Sequence, residues 1–230
     1  MNRTLDVTTS WTATALRLGA GLVAVRSKAP KPEKLLELYD FEACPYCRKV
    51  REALSELDLP AVIYPAGKGS PYRTVAQKKG GKEQFPFLVD PNTGIEMYES
   101  TDIIAYLRTR YSDGGRGFSL GPLSTFGGAL ASALRGGHGR SSSAGKTPEK
   151  RLMLWSFEAS PYCRIVRERL CELAIPYHLV NVAKRSAERP AFLARAGKMQ
   201  VPYLEDPNTG VAMFESADIV AYLDRTYGTA

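Results

Sequence analysis

The chain repeats itself, and the repeat decides what it can fold into. Positions 32–114 laid on 148–230 without a gap agree at 41 of 83 places, spread along the whole unit. A duplication of this kind means two copies of one architecture. Each copy of about 80 residues is close to the size below which a single core struggles to hold a domain. The copies are therefore expected to pack on each other or on shared helices. Four stretches follow: an amino-terminal helical segment over 1–31, a first unit over 32–114, a helix and flexible linker over 115–147, and a second unit over 148–230.

Inside the first unit the apolar period changes along the chain. Leu36 to Phe41 reads as a strand, and Cys47, Val50, Leu54 and Leu57 recur at helical spacing after Pro45. Ala61 to Ala66 reads as a second strand, Tyr72 to Lys79 as a weaker helix and Phe85 to Val89 as a third strand. Asp90-Pro91-Asn92-Thr93-Gly94 supplies turn chemistry before a fourth strand, Ile95 to Tyr98. A last helix runs from Ser100 to Tyr111, with Tyr106 and Tyr111 expected in the core. The order βαβαββα predicts an α/β fold, repeated from Leu152 to Tyr227. Ala- and Leu-rich runs at Leu5–Val25 and Leu120–Arg135 predict a short helix before each unit. Residues 136–147, rich in Gly, Ser, Lys and Arg, predict a flexible linker.

The two copies differ at one atom in their best-kept stretch. The first reads Phe41-Glu42-Ala43-Cys44-Pro45-Tyr46-Cys47-Arg48, and the second Phe157-Glu158-Ala159-Ser160-Pro161-Tyr162-Cys163-Arg164. Cys44 falls where a strand ends and a helix begins, with Pro45 at the first helical position, where its missing N–H costs nothing. Free amides and the helix dipole at such a place bring a thiol from about 8.5 down to roughly 3.5–7.5. Arg48 and Lys49 would add to this. Cys47 shares the inward face and suits a resolving thiol. In the second copy Ser160 cannot exchange disulfides, though its hydroxyl can donate to a thiolate, and Cys163 matches the inward Cys47.

Other functions leave less trace. The charge of +7, from 31 basic and 24 acidic residues, comes with neither a basic aromatic stripe nor a nucleic-acid reading motif, and suits a small anionic ligand. A zinc half-site at Cys44 and Cys47 would need two more ligands, and only His138 and His178 are present; no metal is expected. Four cysteines with one Cys-x-x-Cys point to redox chemistry in a reducing compartment, taken as the cytoplasm. No run reaches about 18 apolar residues, so no membrane is expected, and Arg17 breaks the mildly signal-like run 11–25.

Cys44-Pro45-Tyr46-Cys47 resembles the active site of dithiol glutaredoxins, in a unit ordered like a thioredoxin fold. Gln84-Phe85-Pro86-Phe87-Leu88 with Glu99-Ser100-Thr101-Asp102-Ile103, and Gln200-Val201-Pro202-Tyr203-Leu204 with Glu215-Ser216, are similar to the amino-terminal, glutathione-binding domain of glutathione S-transferases. The resemblance implies two tandem thioredoxin-like domains, each a four-stranded mixed sheet with helices on both faces. It implies glutathione as co-substrate, with Cys44 and Cys47 catalytic, and Tyr46, Arg48, Phe85, Pro86, Glu99 and Ser100 around the tripeptide. It also implies a cis bond before Pro86. Ser160, Tyr162, Cys163, Val201, Pro202, Glu215 and Ser216 are the second-unit equivalents. The leading reading is a glutathione-dependent thiol-disulfide oxidoreductase acting on disulfide or glutathionylated proteins. Two alternatives stand beside it, a glutathione transferase for small electrophiles and a non-enzymatic iron-sulfur or redox-sensing module. Ser100 and Asp102 have a plainer reading as a helix cap and first-turn acid.

Overall fold

A computed structural model describes residues 21–25, 27–113 and 137–228. The first half runs β1 (Leu36–Asp40), α1 (Pro45–Glu56), β2 (Ala61–Pro65), α2 (Pro71–Gly80), β3 (Phe87–Asp90), β4 (Ile95–Met97) and α3 (Ser100–Tyr111). The second half repeats it as β5 (Leu152–Ser156), α4 (Pro161–Glu172), β6 (Tyr177–Asn181), α5 (Arg189–Ala196), β7 (Tyr203–Asp206), β8 (Val211–Phe214) and α6 (Ser216–Tyr227). The mixed α/β class read from the period change is the observed one. The third strand starts two residues later than periodicity suggested, after a cis Phe85–Pro86 bond.

The two expected four-stranded sheets are one eight-stranded sheet in the order β4-β3-β1-β2-β6-β5-β7-β8. Within each half the first two strands are parallel and the others antiparallel. β2 and β6 join the halves antiparallel, Val62 opposite His178. Each would otherwise be an edge strand with a row of unpaired amides, and each covers the other.

Alternation along the strands divides the core between the faces. Leu36, Leu38, Leu152 and Leu154 point to the face of α1, α3, α4 and α6, in one apolar cluster that runs through both halves. Tyr39 with Phe87, and Trp155 with Tyr203, point to the opposite face in two separate clusters. The Asp-Pro-Asn-Thr-Gly turn is anchored from below: Tyr106 and Tyr111 both donate to Asp90 Oδ2, at 2.6 and 2.5 Å, and Tyr222 and Tyr227 both donate to Asp206 at 2.5 Å. The tyrosines expected only as core thus clamp the hairpin to the last helix.

The segments ahead of each half cross to the other half. Val23 pairs in parallel with Lys184, and Ser141 with Lys68. Ala24 N donates to Lys184 O at 2.7 Å and Ser142 N to Lys68 O at 2.7 Å. Where composition suggested a flexible linker, residues 137–147 are tied by main-chain bonds to both halves: Lys68, then Glu172, Leu173 and Tyr227. Of the helix predicted over 5–25, only 21–25 are described, and they are not helical. The helix predicted over 120–135 lies outside the described residues.

Candidate active site around Cys44

The end of β1 and the start of β3 lie side by side because Tyr39 is registered with Phe87. Continuing that register brings Phe41 to Phe85, whose rings meet edge-on at 6.3 Å. The Arg73 guanidinium carbon lies 4.8 Å from the centre of the Phe85 ring. The β1–α1 loop that carries Cys44 and the cis Phe85–Pro86 bond therefore share one end of the sheet. In the second half Trp155 is registered with Tyr203, and the Val201–Pro202 bond is cis as well.

Cys44 is the N-cap of α1, and its Sγ accepts from Cys47 N at 3.3 Å. Pro45 follows at the first helical position, as the sequence implied. Hydrogen bonding lowers the Cys44 thiol: the Cys47 thiol contributes most, with the amides of Cys47 and Tyr46 and the charge of Arg51 helping against a burial that opposes them. Cys47 moves the other way, pushed well up first by burial and then by its neighbour Cys44. The pair is split into one sulfur suited to be a thiolate and one held as a thiol, the division a two-cysteine exchange site needs. Cys44 is only 5% exposed, and Ala43 N, next to it, donates to Gly139 O at 3.4 Å from the crossing segment.

Behind the thiols lies a buried ion cluster. Arg51 Nε donates to Glu158 Oε2 at 3.1 Å, its Nη2 lies 3.2 Å from Glu42, and its Nη1 donates to Asp40. Arg167 answers from the second half, Nε to Glu42 Oε2 at 3.2 Å and Nη2 to Glu158 at 2.9 Å. Burial pushes Asp40 up to about 6 against the pull of Arg51. Burial acts the same way on Glu158, but Arg167 and Arg51 outweigh it and hold that carboxyl at about 2. Sequence reasoning missed Arg51 and Glu158. The available signal was an arginine repeated in both copies seven residues after Cys44 and Ser160, hence on the inward side of its helix.

Other expected site residues divide. Tyr46 stands 51% exposed beside the motif, with Lys49 Nζ 5.8 Å from its ring centre. Arg48, expected to face glutathione, is buried instead, its Nε 3.3 Å from Glu52 and 3.8 Å from Glu158, so its charge belongs to the cluster between the halves. Glu99 caps α3 with no side-chain cap bond and a left-handed φ of 64°, and Glu215 repeats this at 68°. Holding a non-glycine residue there costs on the order of 1–3 kcal/mol. Gln84 donates to Glu99, and Gln200 to Glu215 at 2.5 Å. Ser100 and Ser216 begin their helices, where the first amides have no intrahelical acceptor.

In the second half Ser160 takes the N-cap, its Oγ accepting from Cys163 N at 3.2 Å, and burial raises Cys163. Tyr162 is exposed like Tyr46. Ser156 stands where the first half has Asp40, and Arg167 Nη1 donates to it at 3.3 Å. All four cysteines are free, and Cys171 donates to Gly139 O at 3.3 Å. Among the described residues no group of three or more His, Cys, Asp or Glu is placed to hold a metal, and no helix is long and apolar enough to cross a membrane.

The family described as glutathione S-transferase, N-terminal domain matches residues 38–116 and 154–230. Glutathione S-transferase-like protein gedE of Aspergillus terreus is 36% identical over 59 residues, 26% of either chain, so the match spans about a quarter of that relative's length. The solved structure of TDR1, a trimeric glutathione transferase of Leishmania, aligns over 86% of this chain and 68% of its own at 16% identity and a TM-score of 0.32. The family match takes in most of both halves, and the chain belongs to the glutathione S-transferase N-terminal domain family.

Proposed function

We propose that the protein is a glutathione-dependent thiol-disulfide oxidoreductase. The observation that carries the reading is the opposed tuning of Cys44 and Cys47 at the start of α1. The Cys44 thiolate attacks the glutathione sulfur of a mixed disulfide. A Cys44–glutathione disulfide forms, and the substrate leaves as a thiolate that takes a proton from solvent. A second glutathione thiolate then attacks that disulfide, giving oxidised glutathione and restoring Cys44. Alternatively Cys47 loses its proton and attacks Cys44 Sγ, releasing glutathione and leaving a Cys44–Cys47 disulfide that two glutathiones reduce. Either route has the same balance: the mixed disulfide and one glutathione become the substrate thiol and oxidised glutathione.

Phe85, Pro86, Glu99 and Ser100 are assigned to glutathione. The main chain before β3 would pair with the tripeptide as a short added strand. The open amides at the start of α3 suit the γ-glutamyl carboxylate, and Glu99 suits its ammonium. Tyr46, exposed at the lip, is assigned to the peptide's edge. Val201, Pro202, Glu215 and Ser216 form the matching set in the second half, beside Ser160 in place of a nucleophilic sulfur. Four free thiols suit a reducing compartment, and the cytoplasm is the assigned place.

The test is glutathione-coupled reduction of 2-hydroxyethyl disulfide by wild type, Cys44→Ser and Cys47→Ser. Loss with Cys44→Ser is expected, and unchanged turnover there overturns the reading. The family match favours a second reading, transfer of glutathione to an electrophile with Ser160 donating to its thiolate. Turnover of 1-chloro-2,4-dinitrobenzene that vanishes in Ser160→Ala and survives in Cys44→Ser would select it.

A further inference from the structure

The two halves differ on the sheet face opposite the paired helices α1 and α4. In the first half Tyr39 stacks on Tyr64, centroids 4.7 Å apart and planes 13° from parallel, and Tyr64 packs on Tyr72 at 5.3 Å. The outer edge of Tyr64 is held too, its hydroxyl accepting from Arg151 Nη2 at 3.0 Å. The positions 116 residues on are Trp155, Val180 and Glu188. Trp155 keeps its place on the strand, but the ring that should lie on it from β6 is gone, because Val180 carries two methyl groups where Tyr64 carries a phenol. Phe192, in place of Ala76, fills part of the space and stacks on Trp155 from α5 at 6.0 Å. The remainder is a cavity of about 370 Å³ walled by Trp155, Val180, Phe192, Met153 and His178, and closed at the β2 side by Leu35 and Pro60. That size lies in the range of about 300–1,000 Å³ of small-molecule sites, which are mostly apolar with few polar groups.

We propose that this cavity is a binding site for an uncharged, planar aromatic molecule, whose ring takes on Trp155 the place that Tyr64 takes on Tyr39. The shape argument is internal to the molecule: the first half shows that an aromatic ring fits between the β1 aromatic and the neighbouring strand, and the second half keeps the platform while omitting the ring. Stacking of such rings contributes about 0.5–1.5 kcal/mol beyond the area it buries. The charge argument follows from the lining. Arg195 lies over Trp155 at 5.3 Å, but its guanidinium is held by Glu205 through two bonds of 2.5 and 2.6 Å, so it offers no free cation to an anion. Glu188 lines the cavity with a carboxylate and disfavours anionic rings. His178 leaves one polar wall for a hydroxyl. The site is on the α5 side of the sheet, away from the helix starts that carry Cys44 and Ser160, and stands whatever chemistry those residues perform.

The experiment is a titration of the full chain with 2-naphthol, followed by calorimetry and by the Trp155 indole signal in a ¹H–¹⁵N spectrum. Saturable 1:1 binding is expected, with the indole signal moving in step, and Val180→Tyr should weaken it more than tenfold by supplying the missing ring. The converse change, Tyr64→Val, should raise the stoichiometry towards two. Absence of saturable binding to wild type overturns the proposal, as does binding within twofold of wild type by a cooperatively folded Val180→Tyr. If that variant does not fold, the wild-type spectrum decides: shifts centred on Trp155 and Val180 support the site, and shifts centred elsewhere overturn it.

Discussion

Arg51, in the first half of the chain, closes on Glu158, in the second, at 3.1 Å, and Arg167 closes on Glu42 in the reverse sense at 3.2 Å. Each arginine is 1% exposed and each carboxylate 5% or less. Four charges out of water at one seam do not guarantee net stability, because desolvation consumes much of their attraction. They do bind the two halves to this register, since burying any one of them without its partner would carry an uncompensated desolvation cost.

Removing one partner is therefore the damaging change. Glu158→Gln leaves Arg51 short of a countercharge and is expected to cost about 3–5 kcal/mol, a fall in melting temperature on the order of 10 °C for a chain of this size. The double variant Arg51→Met with Glu158→Met should lose less than the sum of the two single changes. Urea denaturation of the four proteins checks this, and additive losses would show that the pair is not coupled.

The largest support for the Cys44 thiolate is the Cys47 thiol, ahead of the backbone amides and Arg51. Cys47→Ala removes that donor, and Cys47→Ser replaces it with a hydroxyl. The alanine variant is expected to raise the Cys44 pKa, and the serine variant to raise it less, because a hydroxyl still donates to the thiolate. The rate of alkylation against pH measures both, and midpoints unchanged from wild type in the two variants would assign the lowering to the helix start alone.

How much of this was legible in the sequence depended on how local its cause is. Strands, helices and the Cys44 cap were readable because Pro45, the helical spacing of Val50 and Leu54, and the Asp-Pro-Asn-Thr-Gly turn act over a few residues. The joining of two sheets through Val62 and His178 was not readable, since either half reads equally well with β2 or β6 at an edge. The burial of Arg48 was unreadable for the same reason. A helix on a single sheet keeps one side in water, where a charged residue belongs, but α1 is covered by the second half as well, and Arg48, Arg51, Glu52 and Glu56 are all buried. The bonds at 137–147 were unreadable from composition as well, because Gly and Ser promise no side-chain packing while their main chain makes the bonds.

Asp40 gives the fold a measurable pH dependence. An ordinary aspartate gives up its proton near 3.8, and Asp40 keeps it to about 6 because burial penalises the charge more than Arg51 rewards it. Between those values the folded chain holds a proton that the unfolded chain has lost, so stability falls as pH rises through the window and levels off above it. A pKa difference of about 2, at roughly 1.4 kcal/mol each, gives a drop on the order of 3 kcal/mol. Asp40→Asn should remove that slope. Glu56, raised by burial from 4.5 to about 7, adds a fall of at least similar size in both proteins, and Glu158, lowered to about 2, adds a rise that ends near its unfolded value of 4.5, again in both, so the difference between the two curves isolates Asp40. Urea midpoints at pH 4, 5, 6 and 7 give the comparison, and parallel curves for the two proteins would refute the buried-proton account.

The crossing segment supplies the last test, through Gly139. Its φ of +70° is left-handed, and a Cβ built there would lie 2.6 Å from Glu42 Cβ, closer than side chains approach. Gly94 has nearly the same φ, +72°, with nothing within 4 Å of its would-be Cβ. Gly94→Ala therefore isolates the backbone cost, about 1 kcal/mol. Gly139→Ala adds displacement of either the segment or Glu42, and an overpacked site of this kind costs typically about 1–3 kcal/mol more. The same displacement would pull the Gly139 carbonyl from the Cys171 thiol, 3.3 Å away and otherwise buried. Gly139→Ala is thus expected to be less stable than Gly94→Ala and to expose Cys171 to alkylation under native conditions. If the two variants melt together and Cys171 stays protected in both, the segment does not hold the halves at this point.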